Sequence, residues 1–251
     1  MVIYQYPEPS PPIACPYLPG QTLVYASFFA GNLTAAELSW FLSRGWRKFG
    51  HYFFRPACPD CRACTPLRIP VDRFHPSRGQ ARVLRRGARI QVSFGPLRYK
   101  KELFDLYHTH SQVRFGQEST FDDFIANLHS PSCPSLLSLY EMDGRLLGAG
   151  YLDQGSDGLS SVYFVFDPDF SNLSPGIFSV LREIEEARAL GLPFYYLGYV
   201  VPGCARMTYK AGFHPHQLYC WKDGLWHETG KEPEPATPGI IHPFSGWTGP
   251  D

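Results

Sequence analysis

The sequence predicts an α+β protein: a cysteine-bearing α/β region over residues 1–90, a second α/β half over residues 91–230, and a Pro/Gly-rich tail at 231–251. Three observations carry this reading. Helix-capping signals and strand-like segments alternate along the chain, so neither an all-helical nor an all-strand class fits. From residue 135 the texture shifts to strands joined by short turns, which marks the second half as one unit. The 251 residues are 44% hydrophobic and 18% charged, too apolar for a disordered chain and long enough for a sizeable core.

Each element has its own signal. Residues 1–20 hold Pro7, Pro9, Pro11 and Pro12 and predict an extended arm that carries Cys15 to the body of the protein. Gln21 to Phe29 reads as a strand. Thr34 with Glu37 three residues on is a capping box, and Gly45 should stop the helix that follows. His51 to Arg55 reads as a strand, Pro56 to Pro66 as a cysteine-rich loop, and Val71 to Arg86 as the approach to a basic helix. Tyr99 to Arg114 and Phe121 to Leu128 have helical spacing.

In the second half, Leu136 to Met142 and Leu146 to Leu152 flank an Asp143-Gly144 turn, and Ser160 to Phe166 supplies a third strand. Ser174-Pro175 opens a helix that Gly191 ends, followed by a strand from Phe194 to Val200, a short helix from Met207 to Ala211, and a closing hairpin of Gln217 to Trp221 with Leu225 to His227. Three strands, a helix and a strand in this order resemble the sheet of the GCN5-related N-acetyltransferase (GNAT, acyl-CoA N-acyltransferase) fold.

Charge carries the first functional signal. The 23 basic and 23 acidic residues cancel, yet ten Lys or Arg stand against a single acid, Asp72, between Arg68 and Lys101, a local net of +9. A strip of this kind suits a polyanion. On a helix, Arg78, Arg82, Arg85 and Arg86 share one broad face whose guanidinium groups match phosphates or carboxylates.

Cys58, Cys61 and Cys64 supply a second signal, because thiolates at this spacing can converge on zinc or an iron–sulfur cluster, with Cys15 as the candidate fourth ligand. Burial as small hydrophobes is the alternative, and it is the better reading of the isolated Cys133, Cys204 and Cys220. A third signal is the run from Leu197 to Lys210, a strand leading through a Gly-Pro turn to Tyr209 and Lys210. No Walker loop, dinucleotide-binding glycine fingerprint, His-Glu-x-x-His helix or Gly-x-Ser-x-Gly elbow occurs. No apolar run reaches the roughly 18 to 20 residues of a membrane span, and the first residues lack a secretory signal, which predicts a cytoplasmic protein.

Read together, Cys15-Pro-Tyr-Leu-Pro-Gly, Phe54-Arg55-Pro56-Ala57-Cys58 with Cys61 and Cys64, Pro76-Ser77-Arg78 through Arg86, Leu159 to Tyr163, Asp167-Pro168-Asp169 and the Tyr-Leu-Gly to Met-x-Tyr-Lys stretch resemble the bacterial aminoacyl-tRNA-protein transferases. These include the aspartate/glutamate leucyltransferases and are related to arginyltransferase. Gly79 and Ala81 stand where the family more often has Ser and a basic residue.

The resemblance implies transfer of Leu or Arg from charged tRNA to the N-terminal amine of proteins beginning with Asp, Glu or oxidised Cys, within N-degron protein degradation. The partners would be the aminoacyl-tRNA and the acidic acceptor. An aminoacyl ester is already activated, so the transfer itself requires no cofactor, and placement does most of the work.

The candidate anion contacts are Arg78, Arg82, Arg85 and Arg86, with Arg55 for the acceptor carboxylate. Tyr163, Tyr199, Tyr209 and Lys210 are the candidate lining of the amine and ester site. Asp153 or Asp167 could act as base, as could substrate or water. The competing readings are an acyl-CoA-dependent N-acetyltransferase, for which Asn172 to Gly176 is a poor pyrophosphate turn, and a non-catalytic RNA-binding or metal-sensing module.

Overall fold

The computed structural model describes residues 1–116 and 118–228 of the protein. Two mixed layers dominate. The smaller is a four-stranded antiparallel sheet in the order β1 (Val2–Pro9), β4 (Tyr25–Gly31), β6 (Tyr52–Pro56) and β5 (Arg47–Phe49). Between its first two strands, β2 (Ile13–Ala14) and β3 (Thr22–Leu23) form a small ribbon that carries Cys15. The proline-rich start is therefore a strand: Val2 pairs with Gly31 and Pro9 with Ala26, and prolines are tolerated because β1 is the sheet edge.

Helix α1 (Ala35–Ser43) begins as the sequence predicts. The Thr34 side chain accepts from the Glu37 amide, and the Glu37 carboxylate accepts in return from the Thr34 amide at 2.7 Å. The helix buries Leu38, Phe41 and Leu42 against Phe28, Ala30 and Phe53 of the sheet, with Trp46 closing the cluster.

The larger sheet has eight strands, in the order β14 (Trp226–Glu228), β13 (Gln217–Tyr219), β7 (Thr65–Pro70), β12 (Phe194–Val200), β11 (Gly158–Phe166), β10 (Arg145–Gln154), β9 (Ser135–Met142) and β8 (Gln91–Pro96). Every neighbouring pair is antiparallel except β11 and β12. β7 and β8 were not expected from the sequence. β7 is an interior strand of this sheet, so a segment before residue 90 helps to build the second half. β9 and β10 meet at Asp143 (φ +53°) and Gly144 (φ +77°), the left-handed pair a tight hairpin requires.

Alternation along the strands divides the faces. Leu137, Ala149, Tyr151 and Val165 pack on α3 (Lys101–Phe115) and α4 (Phe121–Phe124), which runs on into a π-helical turn at Ile125–His129. Leu152, Leu159 and Tyr195 turn instead to α5 (Pro175–Ala189), which links β11 to its parallel partner β12. Ser174 precedes α5 at φ +57° and offers no side-chain cap to it. The basic helix α2 (Arg78–Arg86) lies on α5, burying Val83 against Phe178, and Gly87 lets the Phe178 ring approach so closely that a Cβ there would sit 2.5 Å from it. The predicted tail at 231–251 lies outside the described residues.

Candidate active site

The candidate site lies where two strands part. β11 and β12 pair only from Gly158↔Phe194 to Ser160↔Tyr196, although the strands continue to Phe166 and Val200. Beyond that point they diverge, and a register shift between Tyr196 and Gly198 bends β12 further. Gly198 has φ +87°, a conformation L side chains rarely adopt.

Two cations converge on this glycine. A Cβ built on Gly198 would lie 3.4 Å from Lys210 Nζ and 3.7 Å from Arg47 Nη2. Arg47, on β5, bridges the wedge: Nη1 donates to Ser160 Oγ at 2.9 Å and Nη2 to the Ser161 carbonyl. Lys210 comes from a short 3₁₀ helix, Thr208–Gly212, and donates to the Tyr199 carbonyl at 3.0 Å. Among the described residues no carboxylate hydrogen-bonds either one. Burial, and after it the charge of Arg47, lowers the Lys210 ammonium to a pKa of about 7. A developing negative charge in the wedge would reverse that pressure.

Three tyrosines expected at the site take different places. Tyr163 is half-buried on β11, edge-on to Phe49 and Tyr107, and burial raises its hydroxyl pKa to about 12, so it stays a neutral hydrogen-bonding group. Tyr209 is 40% exposed beside Lys210. Tyr199 sits differently: its buried hydroxyl donates to the Gly45 carbonyl at 2.9 Å, so its side chain fastens α1's end to β12 and only its carbonyl meets Lys210.

The two acids considered as bases are occupied. Asp153 is buried in an ion pair with Lys48 at 3.0 Å and accepts from Ser135 and Cys133. Asp167 pairs with Arg145 and caps the amide of Asp169.

The basic strip resolves into two populations. Arg68 is held between Gln217, at 2.7 Å, and the rings of Phe194 and Trp226; Arg73 pairs with Glu228, Arg89 with Asp143 and Lys101 with Asp105. Arg78, Arg82 and Arg85 are exposed on α2 and carry no acidic partner among the described residues, while Arg86 donates to Ser174 Oγ at 3.0 Å. Ser77 and Gln80 form the capping box that fixes this helix, and Gln80 Nε2 donates to the Gly212 carbonyl at 3.2 Å. That bond ties the arginine face to the segment that carries Lys210. Arg55 lies elsewhere, stacked 4.8 Å over Trp46 and within electrostatic reach of Tyr219 and Tyr199.

Cys15, Cys58, Cys61 and Cys64 are free thiols close enough for Cys64 to feel the charge of the other three. Burial is the main reason its pKa rises to about 12, so without a metal it is a thiol at neutral pH. No three of these sulfurs lie within 4.8 Å of one another. Zinc–sulfur bonds of about 2.3 Å would draw them to roughly 3.8 Å, so the loop as folded does not form a tetrahedral zinc centre. The three metal-capable groups that do converge among the described residues are Cys220, Asp223 and His227. These already satisfy one another, with His227 Nε2 2.8 Å from Asp223 Oδ2. Cys133, Cys204 and Cys220 are buried, as expected of core cysteines.

Comparison with known proteins decides the family. The model of the arginine-tRNA-protein transferase N terminus matches residues 13–82, and that of the C terminus matches residues 99–220. The chain belongs to the aminoacyl-tRNA-protein transferase family. It is similar to the aspartate/glutamate leucyltransferase of Chromobacterium violaceum, 36% identical over 82% of this chain and 88% of the relative. The enzyme of the same name from Nitrosococcus oceani is 36% identical over 86% of this chain and 93% of that relative. Among solved structures, the C-terminal domain of a putative lysylphosphatidylglycerol synthetase from Agrobacterium fabrum aligns with a TM-score of 0.43 at 15% identity, covering 70% of this chain and 54% of that one.

Of the residues expected from the sequence, the structure sets Tyr209 and Lys210 on one short segment and Tyr163 on β11, and it brings Arg47, which was not expected, to the same glycine as Lys210. Nothing in the local pattern marks Arg47, because its role depends on β5 of the small sheet reaching β11 of the large one. The transferase has no helix among its described residues long and apolar enough to cross a membrane.

Proposed function

We propose that this transferase moves Leu or Arg from its charged tRNA to the α-amine of proteins beginning with Asp, Glu or oxidised Cys, and that the reaction takes place in the β11–β12 wedge. The observation that carries this reading is the pairing of Arg47 and Lys210 against Gly198. Two cations that no carboxylate among the described residues hydrogen-bonds form a positive pole where the strands open when Lys210 is protonated, the feature an ester carbonyl needs when its oxygen becomes negative. The names of the relatives in Chromobacterium and Nitrosococcus support the acidic acceptors and favour Leu as the group transferred. The same order of strands, helix and parallel strand around a splayed wedge supports a GNAT-like sheet in residues 91–230, to which the first half adds β7 and Arg47.

In this reading the acceptor amine attacks the ester carbonyl, a C–N bond forms, and the C–O bond to the terminal ribose breaks. Lys210 and Arg47 stabilise the tetrahedral oxyanion, and Lys210 can hand its proton to the departing ribose oxygen. Tyr163 and Tyr209 line the ester. Arg78, Arg82 and Arg85 take phosphates of the acceptor stem, held in register by the Gln80–Gly212 bond. We assign Arg55 and Tyr199 to shaping the floor. Cys15, Cys58, Cys61 and Cys64 are candidate ligands for zinc or an iron–sulfur cluster only if the loop closes further, and no step above runs through them.

The test is direct. Purified protein mixed with tRNA carrying labelled Leu or Arg and a peptide beginning with Asp or Glu should label the peptide, and the amino acid that labels it identifies the donor. No label with either, beside a working control, overturns the reading. A transfer of acetyl from acetyl-CoA in its place would establish the N-acetyltransferase alternative.

A further inference from the structure

One buried acid lies beneath the wedge and is used by nothing described so far. Glu183 of α5 is 1% exposed, and no cation pairs with it among the described residues. It is surrounded by hydroxyls. Tyr140 Oη on β9 lies 3.3 Å from Oε1, Ser138 Oγ on the same strand lies 3.5 Å from Oε1, and Tyr195 Oη on β12 donates to Oε2. Gly150 of β10 lies directly over the carboxylate, and a Cβ there would come within 2.6 Å of Oε1. From its own helix, Arg182 is turned away to Glu185. From the 3₁₀ segment, the Tyr209 hydroxyl is near enough to feel the carboxylate charge.

A carboxyl of purely structural use would end at its donors, but this one continues. The Ser161 side chain lies close enough to the Tyr195 hydroxyl to favour its ionised form. Tyr195 is fully buried, whereas Ser161 is part-exposed at the point where β11 leaves β12, and its own carbonyl receives the Arg47 guanidinium. Ser161, Tyr195 and Glu183 are therefore successive neighbours between the wedge and a closed carboxylate.

We propose that Ser161, Tyr195 and Glu183 form a proton relay that drains the acceptor amine as it attacks the ester, with Glu183 a relay residue that touches no substrate. This rests on the wedge being the transfer site.

The step balances without any added reagent. As the C–N bond forms, the amine gives one proton to Ser161 Oγ. Ser161 passes its own to Tyr195 Oη, and Tyr195 passes its own to the Glu183 carboxylate. The ribose oxygen leaves with a proton from Lys210. The protein regains its starting state when Glu183 releases its proton by the same path and Lys210 takes one up. A carboxyl held near pKa 7 by burial can both accept and release at neutral pH, which fits the position of Glu183.

Single-turnover transfer from labelled aminoacyl-tRNA to an Asp-peptide, at saturating tRNA and across pH 5.5 to 9, tests the relay in the full chain. Glu183→Gln keeps the shape and removes the acceptor. It should slow transfer roughly tenfold to a hundredfold, leave the KM for charged tRNA in place, and abolish the rising limb attributed to the carboxyl. Tyr195→Phe should do the same, and the double variant should be no slower than either, because one broken link already stops a chain. Ser161→Ala, at the part-exposed end, supplies a third break should a core variant fold poorly.

A Glu183→Gln protein that transfers at the wild-type rate with an unchanged pH profile overturns the relay, as do losses that add in the double variant. Those outcomes leave the transferase reading standing, whereas absence of transfer by the wild-type protein removes that reading itself.

Discussion

Lys210 Nζ rests 3.0 Å from the carbonyl oxygen of Tyr199, on the same glycine-opened stretch of β12 that admits the Arg47 guanidinium. Its ammonium is held by one backbone dipole, with a second cation as neighbour. Burial and the neighbouring Arg47 therefore disfavour the charge that the reaction would use.

Replacing Lys210 tests this tension. Lys210→Met should lower kcat/KM by about a hundredfold to a thousandfold, the loss typical of one oxyanion donor. Lys210→Arg should retain much of the activity and change its pH dependence. Lys210 is charged below a pKa of about 7, so the wild-type kcat/KM should fall as pH rises through that value, and a permanently charged arginine should remove that alkaline limb. Steady-state rates with the labelled tRNA assay check both.

The arginines of α2 make a separable prediction. Arg82→Ala with Arg85→Ala should weaken binding of tRNA and flatten its salt dependence, the log–log slope dropping by about one for each lost phosphate contact. The helix should survive, because the Ser77–Gln80 capping box and the Val83–Phe178 contact remain, so the thermal midpoint should stay within about 2 °C. An unaltered slope in a filter-binding titration would reduce this face to solvated surface.

Much of the fold was legible where the signal was local. Thr34 and Glu37 stand three apart and do form the reciprocal cap, and Asp143-Gly144 does make the turn its dipeptide suggests. β7 was missed because Thr65 to Pro70 carries two prolines and follows the cysteine loop, and its ladder partners come from residues 194–200 and 217–218. The site divides the same way. Tyr209 and Lys210 sit in a readable strand-to-helix turn, whereas Arg47 and Glu183 gain meaning only when separate elements are brought together. Charge counting misled in one respect: Arg68, Arg73, Arg89 and Lys101 add to the strip on paper but are absorbed by partners distant in sequence or close on their own helix.

The Lys48–Asp153 pair should matter for stability. Both side chains are about 4% exposed, and Asp153 also accepts from Ser135 and Cys133. Asp153→Asn leaves Lys48 buried without a counter-charge and should cost about 3 to 5 kcal/mol. Urea unfolding should show the midpoint falling at constant m-value. If Asp153 were instead the catalytic base, the substitution would abolish transfer while leaving stability close to wild type.

Glu183 should give the protein a distinctive acid-to-neutral stability profile. Burial raises its carboxyl from an ordinary value of 4.5 to about 7, so the folded state binds that proton more tightly than the unfolded chain does. The sign follows from linkage: the stabilisation from a protonated Glu183 is fully present below pH 4.5 and is lost as pH rises through 7. At its largest the difference is about 3 kcal/mol. Glu183→Gln carries no titrating group there, so the gap between variant and wild type should widen in the variant's favour from pH 4.5 to pH 7.5 and then hold constant. Denaturant titrations at half-unit intervals would measure that gap. A gap that does not change with pH would mean that the carboxyl keeps its ordinary affinity for protons despite its burial among Tyr140, Tyr195 and Ser138.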